Sequence, residues 1–249
     1  MRITVIGCSG SFPGPDSPAS CYLVEADGFA LLLDLGNGAL GPLQRHIGLY
    51  DIEAILLSHL HADHCLDLCA YWVARKYAPD GPKPRIPVYG PDGVADRMAR
   101  AYDLDPEPGM SDAFEFRTLS VGTFGVGPFT VTTARMNHVV KAYGFRVEHD
   151  GAAIAYSGDT GECAELVDLA RGVDLLLAEA SFLDKPDLPA DLHLTGRQAG
   201  EHAARAGAGR LVLTHLVPWN DPACTLAEAK ASRYHGPIEL AHQGAVYEL

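Results

Sequence analysis

Apolar and polar positions along this chain follow two rhythms, and their order predicts a strand-rich architecture. RITVIG is apolar and β-rich, CYLVEA alternates, and FALLLDLG is a continuous apolar run suited to a buried strand. Between the first two, CSGSFPGPDSPAS is full of Gly, Pro and Ser and reads as a loop. GALGPLQRHIG predicts a short helix with a proline near its start, and DIEAILLS a strand. In CLDLCAYWVARKYA the apolar residues Leu66, Cys69, Trp72 and Val73 recur at helical spacing. PRIPVYG then reads as a strand, PDGVADRMARAYD as a helix opened by Pro91, and DLDPEPGMSDA as an acidic loop.

Four strand-like runs follow, FEFRTLS, PFTVTTARM, AYGFRVEH and GAAIAYSG, and the turn residues between most of them suggest antiparallel neighbours. The last third alternates. ECAELVDLARG is a helix with a glycine stop signal, VDLLLAEAS a strand, TGRQAGEHAARAG a helix, GRLVLTHL a strand and DPACTLAEAKASRY a helix. PIELAHQGAVYEL closes the chain in strand-like fashion. Strands followed by helix, twice over and with no linker between, predict one α/β (α+β) domain over residues 1–249, a β-sandwich with helices on its outer faces.

Composition narrows the partners. Hydrophobic residues make up 47% of the 249, enough for a sizeable core. The net charge of −13 disfavours a polyanion such as nucleic acid, although bound metal ions or local cations reverse the sign where they lie. No apolar run approaches the roughly 20 residues that cross a bilayer. MRITVIGCSG is too short and polar for an export signal, so a cytoplasmic protein is expected. Cys8, Cys21, Cys65, Cys69, Cys163 and Cys224 are scattered without a Cys-x-x-Cys pair, as suits small reduced core residues.

Chemistry concentrates in SHLHADH, directly after DIEAILL. His59 and His61 share one face of an extended backbone, and Asp63 and His64 follow just past the turn. Imidazole and carboxylate together suit Zn²⁺ and its neighbours Mn²⁺ and Fe²⁺. Further ligands are sought at strand ends. His138 follows FTVTTARMN, Asp159 follows AAIAYSG and His215 follows RLVLT. His46, His149, His202, His235 and His242 lie in helices or near turns and read as structural or solvated.

HLHADH, His138, Asp159 in SGDT and His215 in LTH resemble the five signature motifs of the metallo-β-lactamase superfamily. The resemblance covers nearly the whole chain. It implies a four-layer αββα sandwich with two divalent metal ions along one edge, most simply Zn²⁺. It assigns His59, His61 and His138 to one metal, Asp63, His64 and His215 to the other, and Asp159 to both.

AEASF, with Glu179, and HLTGRQAG, with His193, look like two further motifs of the ribonuclease Z group of phosphodiesterases, as does NHVVKAYGFRV around His138. That likeness implies that His193 contacts the scissile phosphate and that Glu179 orients it. Relatives of this branch are often homodimers, and the sequence leaves the oligomeric state open. The chain departs from the transfer-RNA-processing members in one respect: TGECAELVDLARGVDLLLA, between Asp159 and Glu179, leaves no room for their long RNA-gripping arm. The densest basic cluster, Arg75, Lys76, Lys83 and Arg85, is modest and reads as a solvated helix end and loop. RITVIGCSGSFPGPDSPAS, LLSHLHADHCLDL, AYSGDTGECAELVDLARGVD, EASF and DLHLTGRQAG are also similar to actinobacterial enzymes of this fold that hydrolyse cyclic nucleotides. This narrower resemblance implies 3′,5′-cyclic AMP, with cyclic GMP beside it, as substrate and the 5′-nucleotide as product.

The chemistry is coherent without the family. Two metal ions lower the pKa of a bound water towards about 7 and neutralise charge on phosphoryl oxygens. Asp63 can accept a proton from that water, and His193, held by a carboxylate, can protonate the leaving oxygen. Transfer-RNA 3′-end processing stands as the alternative. A lactone, thioester or β-lactam hydrolase and a metal-bearing protein without catalysis stand behind it. In the loop from Cys8 to Ser20, Ser9 or Ser11 is a candidate donor to phosphate oxygens. Trp219, just past His215, is either a base-stacking or a packing residue.

Overall fold

The computed structural model describes residues 1–249. Its first half carries β1 (Arg2–Gly7), β2 (Cys21–Ala26), β3 (Phe29–Leu33), α1 (Leu40–Leu43), β4 (Ala54–Leu56), α2 (Ala62–Cys65), α3 (Asp67–Lys76), β5 (Ile86–Gly90), α4 (Val94–Ala101) and β6 (Phe114–Thr118). Its second half carries β7 (Gly122–Val126), β8 (Phe129–Arg135), β9 (Tyr143–His149), β10 (Ala152–Tyr156), α5 (Ala164–Leu169), β11 (Leu175–Glu179), α6 (Gly196–Ala206), β12 (Leu211–Thr214), α7 (Pro222–Lys230), β13 (Ile238–Leu240) and β14 (Val246–Glu248). Two seven-stranded sheets result, ordered β14-β1-β2-β3-β4-β5-β6 and β13-β12-β11-β10-β9-β8-β7.

Period-two alternation decides the layers. In β3, Leu31 and Leu33 face the other sheet, where they meet Phe145, Ile154, Leu175 and Val212 in the central core. Ala30 and Leu32 turn outward, under Leu43 of α1, Leu68 and Trp72 of α3 and Met98 of α4. On the second sheet, Ala155, Leu176 and Leu213 turn outward beneath Leu166, Ala199, Ala203 and Ala229. The continuous apolar runs are therefore strands buried on both faces, and the arrangement is a four-layer αββα sandwich.

Two expectations need correction. FEFRTLS and PFTVTTARM are not antiparallel neighbours: β6 pairs parallel with β5 in the first sheet. A strand absent from the sequence reading, β7, opens the second sheet and forms a hairpin with β8. Its GTFGV sequence has the glycines of a turn, and Gly127 at φ 55 makes the reversal to Phe129. The closing run is likewise two strands in different sheets. β13 pairs parallel with β12 and β14 antiparallel with β1, with Gly244 at φ 83 between them. In addition, α4 starts after Gly93, itself left-handed, rather than at Pro91.

Strand directions place the site. β1 is antiparallel to β2, and β2 to β3, so β1, β3 and β4 end on one edge. β8 is antiparallel to β9, and β9 to β10, so β8, β10, β11 and β12 also end together. The loops leaving these C-terminal ends, with Glu179 at the end of β11, carry the expected metal ligands and His193.

Candidate metal centre

Three overlapping groups of side chains meet at this edge. His59, His61, His138 and Asp159 form one, Asp63, His64, Asp159 and His215 the second, and Asp159, Glu179, His193 and His215 the third. Within each, the potential ligand atoms all lie within 4.8 Å of one another. All nine site residues expected from the sequence are thus brought together, and Asp159 belongs to every group.

Local structure explains each placement. His59 follows β4, His61 precedes α2, and Asp63 and His64 sit within that single turn of helix. His138 and Asp159 leave β8 and β10, Glu179 ends β11, and His215 immediately follows β12. His215 takes a left-handed φ of 54, uncommon for a histidine and retained here by its neighbours. Its Nδ1 lies 2.6 Å from Ser181 Oγ, which in turn donates to Glu179 Oε2 at 3.0 Å. Glu179 Oε1 accepts from Thr160 N at 2.8 Å and pairs with His193 Nδ1 at 2.8 Å. The backbone bond from Phe182 N to Leu194 O at 3.0 Å ties the His193 segment to the end of β11.

The outer partners settle which ring nitrogen faces inward. His64 Nδ1 lies 2.7 Å from Asp34 Oδ2, His138 Nδ1 2.9 Å from Leu192 O, and His59 Nδ1 3.1 Å from Ser58 Oγ. With Nδ1 turned outward to these partners, each ring aims Nε2 at the centre. His64 Nε2 and His215 Nε2 are 3.2 Å apart, and His59 Nε2 is 2.9 Å from His61 Nδ1. Ring nitrogens so close repel unless a proton or a metal cation lies among them. Asp159 Oδ1 is buried without a well-formed hydrogen bond, 3.1 Å from His64 Nε2 and 3.4 Å from His215 Nε2, a placement that a cation among these atoms would compensate. The residues fit the divalent metals that the fold implies.

Titration follows the same field. Burial pushes Asp63 up, but the hydrogen bonds from His215 and His64 outweigh it and hold the carboxyl far below its ordinary value. Asp159 is also held well below, its burial overcome by His215, His64 and His59. Burial depresses His59, with a further push from His64. In His193 burial works downward, yet the Glu179 charge and hydrogen bond prevail and push the imidazole up to about 9.

Sequence reading missed Asp34. This fully buried carboxylate, at φ 59 just past β3, accepts from Ser58 N (2.7 Å), Ser58 Oγ (2.8 Å) and Tyr156 Oη (2.7 Å) as well as facing His64. The signal available was a lone charge closing the apolar run FALLL. The loop after β1 does border the centre, but through its backbone: Ser11 N donates to Asp63 Oδ2 at 2.8 Å. Ser9, one of the two expected phosphate donors, is buried, and its hydroxyl is spent inside the loop on Ser17 O and Gly14 N. His202 is a buried structural residue, 2.8 Å from Gln198 O. The basic cluster is not wholly solvated as expected: Arg75 is buried against Tyr71 and Pro84, while Lys76 and Lys83 pair with Asp112 and Asp80.

A family model described as "Beta-lactamase superfamily domain" matches residues 30–216. The chain is 44% identical over 256 residues to the protein Rv1339 of Mycobacterium tuberculosis, covering 100% of this chain and 92% of that protein. It is 32% identical over 248 residues to a ribonuclease Z of Mycobacterium bovis, covering 88% of this chain and 86% of the relative. The crystal structure of the metallo-beta-lactamase fold protein YhfI from Bacillus subtilis superposes with a TM-score of 0.88 and 28% identity over 99% of each chain. With its strand ends gathered at one edge and its length matched by these relatives, the chain belongs to the metallo-β-lactamase superfamily, on the branch that includes ribonuclease Z, and is a metal-dependent hydrolase.

Proposed function

We propose that this hydrolase is a binuclear phosphodiesterase acting on a small diester, with 3′,5′-cyclic AMP as substrate and the 5′-nucleotide as product. One observation carries the reading: the Glu179–His193 pair, bonded at 2.8 Å, stands on the wall of the centre with His193 Nδ1 4.0 Å from Asp159 Oδ2. A diester needs a proton on its departing alkoxide, and this pair provides a held imidazolium beside the place where phosphate would sit.

In this reading His59, His61, His138 and Asp159 would hold one metal, and Asp63, His64, His215 and Asp159 the other. Two divalent ions there would supply an acidified water and neutralise charge on the phosphoryl oxygens. A donor set of imidazoles and carboxylates favours Zn²⁺, with Mn²⁺ or Fe²⁺ as substitutes. Asp63, fixed by the Ser11 amide, takes the proton of the attacking water. Glu179 holds His193 through Nδ1, leaving Nε2 to donate to the departing 3′ oxygen. Water adds to phosphorus, the P–O3′ bond breaks, and the proton passes from His193 to O3′. Arg97 lines a cavity of about 410 Å³ beside His61, together with Lys141, which pairs with Asp92 at 2.6 Å, so Arg97 is the cation left to face an anionic substrate there.

The second reading is transfer-RNA 3′-end cleavage, favoured by the likeness to a ribonuclease Z. Against it stand the net charge of −13 and the single helix and strand between Asp159 and Glu179. A cytoplasmic setting is part of the proposal and rests on six free cysteines, four of them buried. No helix is long and apolar enough to cross a membrane. Incubating the metal-loaded protein with cyclic AMP and with precursor transfer RNA decides between the readings. Conversion of cyclic AMP to 5′-AMP is expected, and cleavage of the RNA alone sinks the proposal.

A further inference from the structure

Two loops that reach the centre are laced together: Leu216 N donates to Cys8 O at 2.9 Å and Gly10 N to Leu216 O at 3.0 Å. One residue beyond Ser11, whose amide touches Asp63, stands Phe12; four beyond His215 stands Trp219. Their ring centroids are 4.9 Å apart with planes tilted by 48°. Trp219 is 74% exposed, whereas the chain's other tryptophan, Trp72, is 3% exposed and donates its N–H to Asp112 at 2.6 Å. A large aromatic left in water but braced by a second ring is unusual packing and a familiar form of binding surface. The brace is stiff. Gly14 N donates to Ser17 O at 2.9 Å, and Pro13, Pro15, Pro18 and Pro218 restrict the flanking backbone, so little freedom is lost when a ligand settles on it.

We propose that Phe12 and Trp219 form the platform on which the nucleobase of the substrate stacks while its phosphate lies at the metal centre. The inference rests on the phosphodiesterase reading and sharpens it, since the preferred diesters are then those that carry a base. Stacking uses a π-face that every base possesses, so adenine and guanine cyclic nucleotides should be accepted alike. The other occupant that suits an exposed aromatic pair is a second copy of this chain.

The platform is tested by titrating the metal-loaded full-length protein with 5′-AMP and with ribose 5-phosphate while following tryptophan emission. 5′-AMP should quench the exposed indole and ribose 5-phosphate should not. The quench should vanish in Trp219→Ala, because Trp72 is shielded. In turnover, Trp219→Ala should raise KM for cyclic AMP by about 5- to 150-fold, the range that loss of one stacked base implies. It should leave kcat, and turnover of the base-free ribose 3′,5′-cyclic phosphate, unchanged, and Trp219→Phe should restore KM. The inference is overturned if Trp219→Ala keeps the AMP quench, or weakens the base-free diester equally. It is also overturned if the substitution splits a dimer in sedimentation while nucleotide kinetics stay unaltered. Should the parent protein hydrolyse neither diester, the phosphodiesterase reading fails, and the AMP titration still decides the platform by itself.

Discussion

Asp34 Oδ2 lies 2.7 Å from Nδ1 of His64, joining a residue at the end of β3 to one in the turn of helix after β4. The contact fixes which nitrogen of His64 faces inward, and Ser58 and Tyr156 hold the carboxylate in place. Partners of this kind typically contribute 10- to 100-fold, or about that, in metal affinity. Asp34→Asn should therefore weaken metal binding by about that factor in chelator competition, and Tyr156→Phe by less. Parent-like affinity in Asp34→Asn would show that the contact serves folding alone.

Asp63 is the residue assigned to the attacking water. Asp63→Ala should keep the circular dichroism of the parent but lose at least about 100-fold in kcat for cyclic AMP, as general-base removal does. Unchanged turnover would remove Asp63 as the acceptor of the water's proton.

His193 supplies a pH test. Its pKa in the fold is raised to about 9 by Glu179, so the donor form is present below that value and is lost as pH rises through it. Turnover limited by proton donation should fall on the alkaline side near that pH. Glu179→Gln removes the charge that raises the imidazole, so the alkaline limb should move towards the ordinary histidine range. A limb that stays put removes His193 as the acid.

Metal should govern stability as well as activity. A bound cation would compensate the clustered ring nitrogens and the buried Asp159 oxygen, so chelation should abolish turnover and lower the melting temperature. Adding back Zn²⁺, Mn²⁺ or Fe²⁺ one at a time should restore both, and the ion restoring most at stoichiometric amounts identifies the best fit.

Close approach of backbone supports the centre from beneath. A Cβ on Gly36 would lie 2.0 Å from Asp63 O, and one on Gly10 2.4 Å from His215 O. Gly36→Ala should displace the Asp63 backbone, reduce bound metal and cost about 1–3 kcal/mol of stability. Gly41→Ala, with open space around it, is the neutral control in the same thermal melt.

Much of this was legible in one dimension. Metal ligands and strand ends are local features: HLHADH brings four candidates within six residues, and His138, Asp159 and His215 each close an apolar run. Burial on both faces leaves continuous apolar runs, so β3, β4, β11 and β12 were readable, as was their order with the helices. Short Gly-rich β7 was not, because its stability comes from pairing with β8 rather than from its own composition. Nor does periodicity say which sheet a strand joins, so the parting of β6 from β7 and of β13 from β14 was decided only when the sheets packed. The same holds for the polar partners. Asp34 meets Tyr156 across 122 positions, Ser11 meets Asp63, and Trp219 stays in water against Phe12. Nothing in local spacing encodes such contacts, since they arise from strand direction and from the need of each buried polar group for a partner.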